Sequence, residues 1–174
     1  MKNDYSQFLQ WLSETRRDFH MHPEISHQEK RTTQRIAEIL KAYDCEVQLF
    51  DDMTGAVGII RGAQEGPTIG LRADIDALPI QELNDIPYKS QNPGAMHACG
   101  HDAHATIMLG VARNIMTSGL QSKLKGNVKF FFQPAEERIA GAKAMIERGV
   151  LENPRVDRVI AGHMAPDLPV GTVG

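Results

Sequence analysis

The chain has 174 residues, of which 41% are hydrophobic and 24% are charged, and this composition is typical of one globular domain. Its 19 basic and 22 acidic residues give a formal net charge of -3, so no basic excess favours binding to nucleic acid or to an anionic membrane. The sequence has neither a membrane-spanning run nor the apolar core of a secretory signal, and we expect a cytoplasmic protein.

Two amphipathic helices are predicted first. Over residues 5–21, apolar side chains recur at three- and four-residue steps, and Pro23 ends the pattern. Ser26 and Glu29 then form a capping-box pattern, with Ser at the N-cap and Glu three residues later. This pattern predicts a second helix that runs to about Tyr43.

Strands are predicted from residue 46 onward, where short apolar or β-branched runs are separated by glycine. The predicted strands cover residues 47–50, 56–60, 68–72, 127–132 and 158–161, and two of the first three form a hairpin. Predicted helices over residues 103–116 and 141–148 alternate with the later strands. This alternation predicts an α/β sandwich with a largely parallel sheet.

Residues that bind metals are concentrated in four loops, at positions 72–76, 97–104, 133–137 and 161–164. Each loop follows a predicted strand or opens a predicted helix. In open α/β sheets, functional sites form beyond the carboxyl ends of the strands. The four loops therefore indicate one site at that edge of the sheet.

Cys99 and His101 are the central pair of this candidate site. Their two-residue spacing places both side chains on one side of an extended segment, and Gly100 permits a tight turn between them. The positive end of the following helix is expected to favour the Cys99 thiolate. A core thiol is the alternative for Cys99, and Cys45, which has no ligand residues around it, is interpreted as structural.

Glu136 and Glu137 follow an apolar strand and Pro134. Buried adjacent carboxylates raise each other's pKa unless a cation lies nearby. In extended backbone the two side chains point in opposite directions, so one can bind a metal while the other acts as general base. A solvated acidic pair is the alternative.

Three further residues lie at predicted strand ends. His163 follows a strand and a glycine, and is equally compatible with a ligand or with a hydrogen-bonded structural histidine. Asp74 and Asp76 flank Ile75, so both can face one side, and Asp76 can hold a ligating imidazole through its second nitrogen. His97 and His104 are interpreted as supporting residues.

These motifs resemble those of the metal-dependent amidohydrolase and aminoacylase family. That family includes hippurate hydrolase, N-acetyl amino acid deacetylases, aminobenzoyl-glutamate hydrolase and the indoleacetyl-amino acid hydrolases. The resemblance covers nearly the whole chain, and its most specific element is Cys-Gly-His-Asp-x-His, at residues 99–104. The other matching segments are residues 17–24, 71–80, 132–137 and 162–164.

The resemblance implies a zinc-peptidase-like, three-layer α/β/α catalytic domain that binds two divalent metal ions, whether zinc, manganese, cobalt or nickel. It implies that Glu136 is the general base and that Asp76 supports the site. The implied metal ligands are Cys99, His101, Glu137 and His163. The implied reaction is hydrolysis of the amide bond of a small N-acyl amino acid.

Family members are longer than this chain, and the resemblance implies that residues 1–174 are the N-terminal portion of the catalytic domain. A lid and dimerisation domain, a further histidine ligand and the rest of the catalytic domain are then absent, and a homodimer is expected for the full-length form. After the two glutamates the family commonly has a glycine run, whereas this chain has Arg138-Ile139-Ala140. The substrate preferences of family members are therefore not assigned to this chain.

Two rival functions fit the same residues. One is a papain-like thiol hydrolase that uses Cys99 with a histidine base, and the other is a noncatalytic metal-binding fragment. A zinc nucleobase deaminase is excluded because its His-x-Glu and Pro-Cys-x-x-Cys signature is missing.

Overall fold

The computed structural model describes residues 2–174, and every helix and strand predicted above is present there with bounds shifted by a few residues. In chain order the elements are α1 (Lys2–Met21), α2 (Lys30–Ala42), β1 (Glu46–Leu49), β2 (Ala56–Arg61), β3 (Gln64–Asp74), α3 (His101–Thr117), a 3-10 helix (Leu120–Lys123), β4 (Lys125–Gln133), α4 (Gly141–Glu147) and β5 (Arg158–Ala161). Within residues 2–174, no helix combines the length and the hydropathy needed to cross a membrane.

The strands form one mixed sheet in the order β1-β2-β4-β3-β5. β4 and β5 run parallel to β3, whereas β2 is antiparallel to both β1 and β4. The α/β class is confirmed, and the predicted hairpin is β1–β2. The connection between β1 and β2 is too short for the crossover that a parallel pair requires. Parallel pairing is limited to the half of the sheet formed by β4, β3 and β5, whereas the sequence predicts a largely parallel sheet.

Helices cover both faces of the sheet, which makes three layers. On one face, Phe130 and Phe132 of β4 are fully buried in a core shared with α1, α2 and α3. On the other face, Phe131 packs with Met145 of α4 and with Val150. Because alternate side chains of a strand point to opposite faces, three consecutive phenylalanines of β4 stabilise both layers.

The start of α2 differs from the capping box that the sequence predicts. Ser26 donates its hydroxyl hydrogen to Asp76 Oδ2 at 2.7 Å and does not cap the helix. Glu29 is fully buried and accepts hydrogen bonds from Thr54 and from the Ala135 amide. The first-turn amides of α2 are instead bound by the Glu24 carboxylate at 2.8 and 3.0 Å, which the positive end of the helix favours. Long-range contacts therefore override the local pattern.

A buried histidine joins α1 to α3 directly behind the parallel edge. His20 Nδ1 lies 2.8 Å from Asp102 Oδ2, and His20 Nε2 lies 3.2 Å from Glu82 Oε1. Arg16 donates a further hydrogen bond to Asp102. The hydrogen bond to Asp102 raises the pKa of His20 and outweighs burial, which lowers it. Only the protonated imidazole can donate to both carboxylates.

We expect His20→Gln to lower the free energy of unfolding by about 3–5 kcal/mol at pH 6, because it leaves the buried Glu82 without a cation and Asp102 with Arg16 as its only one. Since the folded pKa of His20 is raised, its contribution is complete below its unfolded pKa of about 6.5 and is lost as the pH rises through the folded value. Urea unfolding of the wild type and the variant from pH 6 to 9 measures this. A difference in stability that does not shrink with rising pH would contradict the assignment.

Candidate metal centre

The predicted site residues meet at the carboxyl edge of the parallel half of the sheet. Asp74 ends β3 and Asp76 follows it, Glu136 and Glu137 follow β4, and His163 follows β5. Cys99 and His101 approach the same edge at the start of α3. β4, β3 and β5 are neighbours and run in one direction, so their carboxyl ends lie side by side.

Gly100 allows the close spacing of Cys99 and His101. It has a φ of +90°, and a Cβ at this position would lie 3.1 Å from Met164 Cγ. This conformation is readily adopted by glycine and rarely by other residues. The tight turn predicted between the two side chains is thus present.

Two imidazoles present a nitrogen lone pair to the cluster. His101 Nδ1 lies 2.8 Å from the Asp76 carbonyl oxygen, and His163 Nδ1 lies 2.8 Å from the Met164 carbonyl oxygen. A carbonyl only accepts, so Nδ1 carries a hydrogen in each ring, and the neutral ring then keeps its lone pair on Nε2. This is the tautomer and the backbone support of metal-binding histidines.

The distances between donor atoms suit metal coordination. Cys99 Sγ lies 3.4 Å from His163 Nε2, and His101 Nε2 lies 3.9 Å from Glu137 Oε1 and 4.0 Å from Glu136 Oε2. Two ligands of one tetrahedral zinc ion lie about 3.3–3.6 Å apart, a range that includes the Cys99–His163 distance and that the His101–glutamate distances exceed by a few tenths of an ångström. Donor atoms of Cys99, His101 and His163 all lie within 4.8 Å of one another, and so do those of His101, Glu136 and Glu137.

Two buried donor atoms in this cluster lack any hydrogen-bond partner within residues 2–174. They are His101 Nε2 and Glu137 Oε1. A buried polar atom without a partner costs about 1–3 kcal/mol, so such atoms require an explanation. A cation between them satisfies both, and mixed thiolate, imidazole and carboxylate donors suit several first-row ions. The residues therefore fit a metal.

A third group of metal-capable side chains, Asp74, His101 and His104, has a different arrangement. His104 Nδ1 lies 2.6 Å from Asp74 Oδ1, and His104 Nε2 accepts the Met164 amide hydrogen at 2.9 Å. Both ring nitrogens are thus occupied. His104 lies in α3 and thus anchors the loop that carries His163. This is the supporting role predicted from sequence.

His97 belongs to none of the metal-capable groups found among residues 2–174. It is buried, and neither ring nitrogen has a hydrogen-bond partner among the described residues. Burial lowers the pKa of His97 to about 4, so the ring is neutral at physiological pH.

The loop of Glu136 and Glu137 is a turn, so the extended backbone expected from sequence is wrong. Both carboxylates approach His101 Nε2 from the same side and do not point in opposite directions. The turn is closed by Gly141, where a Cβ would overlap the Pro134 carbonyl oxygen. A side chain at this position is therefore excluded.

Asp76 holds this turn in place. Its carboxylate accepts hydrogen bonds from the amides of Glu136 and Glu137, both at 3.1 Å, and from the Ser26 hydroxyl. Burial alone raises the pKa of Asp76, but these hydrogen bonds and His101 outweigh it and lower the pKa to about 2. One buried carboxylate thus positions the glutamate turn and the imidazole of His101.

We expect Asp76→Asn to lower the free energy of unfolding by about 1–3 kcal/mol, because an amide NH₂ then faces donors. Metal affinity should fall about 10- to 100-fold. Because the folded pKa of Asp76 is lowered to about 2, the stability difference should persist above pH 4 and diminish as the pH falls towards 2. Urea unfolding and metal titration measure these effects. The exposed Asp85→Asn is the control, and equal behaviour of the two variants would sink the assignment.

The chemistry of Cys99 differs from the prediction based on the helix dipole. Burial and the carboxylate of Glu137 raise the pKa of the Cys99 thiol to about 11, with further contributions from Asp74 and Glu136. The thiol is therefore neutral without a cation, although α3 begins two residues later. A metal ion reverses this effect, because a coordinating thiol is deprotonated.

Ser26 and Glu29 are site-supporting residues that sequence reasoning missed. Ser26 contacts Asp76, and Glu29 accepts the amide hydrogen of Ala135, next to the two glutamates. Both contacts join residues far apart in the chain. The only local signal, the capping-box pattern, assigned both residues to another role.

Known proteins resemble this chain in sequence and in structure. The model of the peptidase family M20/M25/M40 matches residues 70–174. The N-acetylcysteine deacetylase of Bacillus subtilis is 46% identical over 164 residues, which are 94% of this chain and 42% of that protein. Thermostable carboxypeptidase 2 of Saccharolobus solfataricus is 40% identical, with 98% of this chain and 43% of that protein covered.

A solved structure supports the same relationship. A Bacillus subtilis protein described as a dinuclear metal binding peptidase from the M20 family superposes with a TM-score of 0.90 and 44% sequence identity. The match covers 95% of this chain and 45% of that one. The chain therefore spans less than half the length of the relatives it matches.

Proposed function

The chain belongs to the peptidase family M20/M25/M40, and from this premise we propose that it forms most of a two-metal site that hydrolyses the amide bond of small N-acyl amino acids. The observation that carries the proposal is a pair of buried atoms that find no hydrogen-bond partner in the described part of the chain, His101 Nε2 and Glu137 Oε1. They lie 3.9 Å apart. A thiol and a second imidazole lie beside them.

We propose Cys99, His101, Glu137 and His163 as the ligands of two divalent ions, whether zinc, manganese, cobalt or nickel. Support comes from their mutual distances, from the lone pairs on both Nε2 atoms and from the relative described as a dinuclear metal binding peptidase. The bound ions would supply Lewis acidity to the attacking water and to the amide carbonyl.

Glu136 is the proposed general base. Its side chain is 40% exposed, so water and substrate can reach it, and its backbone is fixed by Asp76. Glu136 takes a proton from water as the water oxygen bonds to the carbonyl carbon. It then delivers that proton to the amine nitrogen as the carbon–nitrogen bond breaks. No serine or cysteine nucleophile is needed, and Asp76 acts only by positioning.

The thiol hydrolase alternative is disfavoured by the surroundings of Cys99. A papain-like enzyme needs a thiolate beside an imidazolium. Here burial and the neighbouring carboxylates raise the pKa of the thiol to about 11, and this favours the neutral form. Chelation should abolish the proposed activity, whereas a thiol enzyme should survive chelation and be inactivated by iodoacetamide.

The names of the relatives suggest the substrate class. A deacetylase of N-acetylcysteine and a carboxypeptidase both cleave an amide whose nitrogen belongs to an amino acid with a free carboxylate. We propose that the substrate of this site also has an amide whose nitrogen belongs to an amino acid with a free carboxylate. For a longer protein that contains these 174 residues, the proposal extends to a further histidine ligand, a covering domain and a homodimer.

Metal analysis combined with a substrate panel tests this function. The chain, and any longer protein from the same locus that contains it, should be assayed with N-acetyl, N-benzoyl and indoleacetyl amino acids before and after chelation. We expect metal-dependent release of the amino acid. Metal binding without hydrolysis in both forms would support the noncatalytic alternative, and hydrolysis that survives chelation would contradict the two-metal mechanism.

A further inference from the structure

The loop that carries His163 is attached to the rest of the molecule at few points. His163 and every residue after it are exposed. Within the described part of the chain, these residues make two hydrogen bonds to other segments. In one, the Met164 amide donates to His104 Nε2 at 2.9 Å. The other joins two proposed metal ligands, since Cys99 Sγ lies 3.4 Å from His163 Nε2. The position of His163 before a metal binds therefore depends on His104.

The backbone of Met164 connects His104 to the proposed ligand. Its amide hydrogen is accepted by His104 Nε2, and its carbonyl oxygen accepts the Nδ1 hydrogen of His163 at 2.8 Å. The two imidazole rings also pack in a T-shaped arrangement, with centroids 4.6 Å apart. His104 has a fixed position, because it is buried and lies in the first turn of α3. Displacement of the Met164 amide from His104 would therefore move His163.

Only one tautomer of His104 can make this hydrogen bond. A backbone amide only donates, so Nε2 must carry a lone pair and the hydrogen of the neutral ring must be on Nδ1. Asp74 Oδ1 lies 2.6 Å from that Nδ1 and accepts its hydrogen. Asp74 is buried like His104. Because a carboxylate has no hydrogen to donate, Asp74 selects the tautomer that binds Met164.

The sheet holds the Asp74 carboxylate in place. Asp74 ends β3, and Arg72 Nη1 of the same strand lies 2.8 Å from its Oδ2 atom. Arg72 Nε donates to Gln133 Oε1 at 2.8 Å, and this second contact fixes the guanidinium group. The two oxygens of Asp74 thus have different partners, a cation on one side and His104 on the other.

We propose that Asp74 is a positioning residue, which sets the tautomer of His104 and through it holds His163 in the place where it binds a metal ion. In this way β3 and α3 fix a ligand that lies on an exposed loop, and less conformational freedom is lost when the metal binds. The role in metal binding rests on the proposed function. The role in setting the tautomer and holding the loop does not.

Asp74→Asn tests the tautomer in the metal-free chain. The asparagine oxygen should face Arg72, so its NH₂ group faces His104 Nδ1 and moves the ring hydrogen to Nε2, as happens when the triad aspartate of a serine protease is replaced by asparagine. Long-range proton–nitrogen NMR spectra distinguish the two tautomers. The Met164 amide then faces a donor and should exchange with solvent about 10-fold faster. The exposed Asp85→Asn should change neither property, and an unchanged tautomer or unchanged exchange in Asp74→Asn would overturn the inference.

Metal titration tests the consequence for the proposed centre. Asp74→Asn should lower the affinity for zinc about 10- to 100-fold. Because Asp74 Oδ1 also lies 3.7 Å from His101 Nε2, a direct loss of negative charge would have the same effect. His104→Gln separates the two causes, since a glutamine amide can rotate to present its oxygen to Met164 and has no tautomer to set. In that background Asp74→Asn should change the zinc affinity less than about 2-fold, and an undiminished effect would contradict an action through His104.

Failure of the proposed function gives a different result. If neither the wild type nor any variant binds zinc, but Asp74→Asn switches the tautomer and releases the Met164 amide, the metal centre is contradicted and the positioning of the loop by Asp74 stands. If the tautomer switches and zinc still binds to Asp74→Asn with the affinity of the wild type, the inference is overturned and the proposed function is unaffected.

Discussion

Glu136→Gln should leave metal content unchanged and reduce hydrolysis of N-acyl amino acids about 10²- to 10⁴-fold, the range typical of general acid–base catalysis. The glutamine keeps the size of the side chain but cannot accept a proton from water. Turnover and metal content should be measured on the same preparation. The metal measurement is needed because the Glu136 carboxylate also lies 4.0 Å from His101 Nε2.

Glu65→Gln is the matched control for this variant, since Glu65 is exposed and lies at the amino end of β3, far from the carboxyl edge. Its turnover should equal that of the wild type. Near-normal turnover of Glu136→Gln would sink the proposed mechanism. Loss of both turnover and metal would instead assign Glu136 to the ligand set.

Cys99→Ala should lower metal affinity by at least about 100-fold, more than the loss of a supporting residue typically causes. The pKa of the thiol is about 11 in the absence of a cation, so a metal ion that binds the sulfur must displace a proton. Calorimetric titration in buffers of different ionisation enthalpy counts the protons released. The variant should release one proton fewer per chain than the wild type.

The second cysteine of the chain provides the control. Cys45 is a free, buried thiol whose pKa is also raised to about 11 by burial, but it lies in the core of α2 and the sheet. Cys45→Ala should change stability and leave metal binding intact. Unchanged stoichiometry and affinity in Cys99→Ala would remove that residue from the ligand set.

Local sequence patterns predicted the elements that position the site. The apolar runs of β4 and β5, the spacing of Cys99 and His101 around Gly100, and the position of His163 after a strand all follow from short-range rules. Parallel neighbours then place these strand ends together. This is why the gathering of the site residues at one edge was predictable.

Other features depend on contacts between distant segments and were not predictable. Ser26 and Glu29 fit a capping box by local pattern, yet Asp76 and the Ala135 amide bind them across 50 and 106 positions of sequence. The direction of the two glutamate side chains depends on a turn that Asp76 stabilises. The thiol pKa of Cys99 likewise depends on burial and on carboxylates from other segments, which together outweigh the helix dipole expected locally.

The two-metal centre can be seen directly in crystals of the chain grown with zinc or manganese and measured at the absorption edge of that metal. We expect two anomalous peaks at the carboxyl edge of the sheet. Cys99 Sγ, His101 Nε2, His163 Nε2 and a Glu137 oxygen should each lie within about 2.5 Å of a peak. Absence of a peak among these atoms, or peaks bound only by other residues, would contradict the proposed two-metal centre.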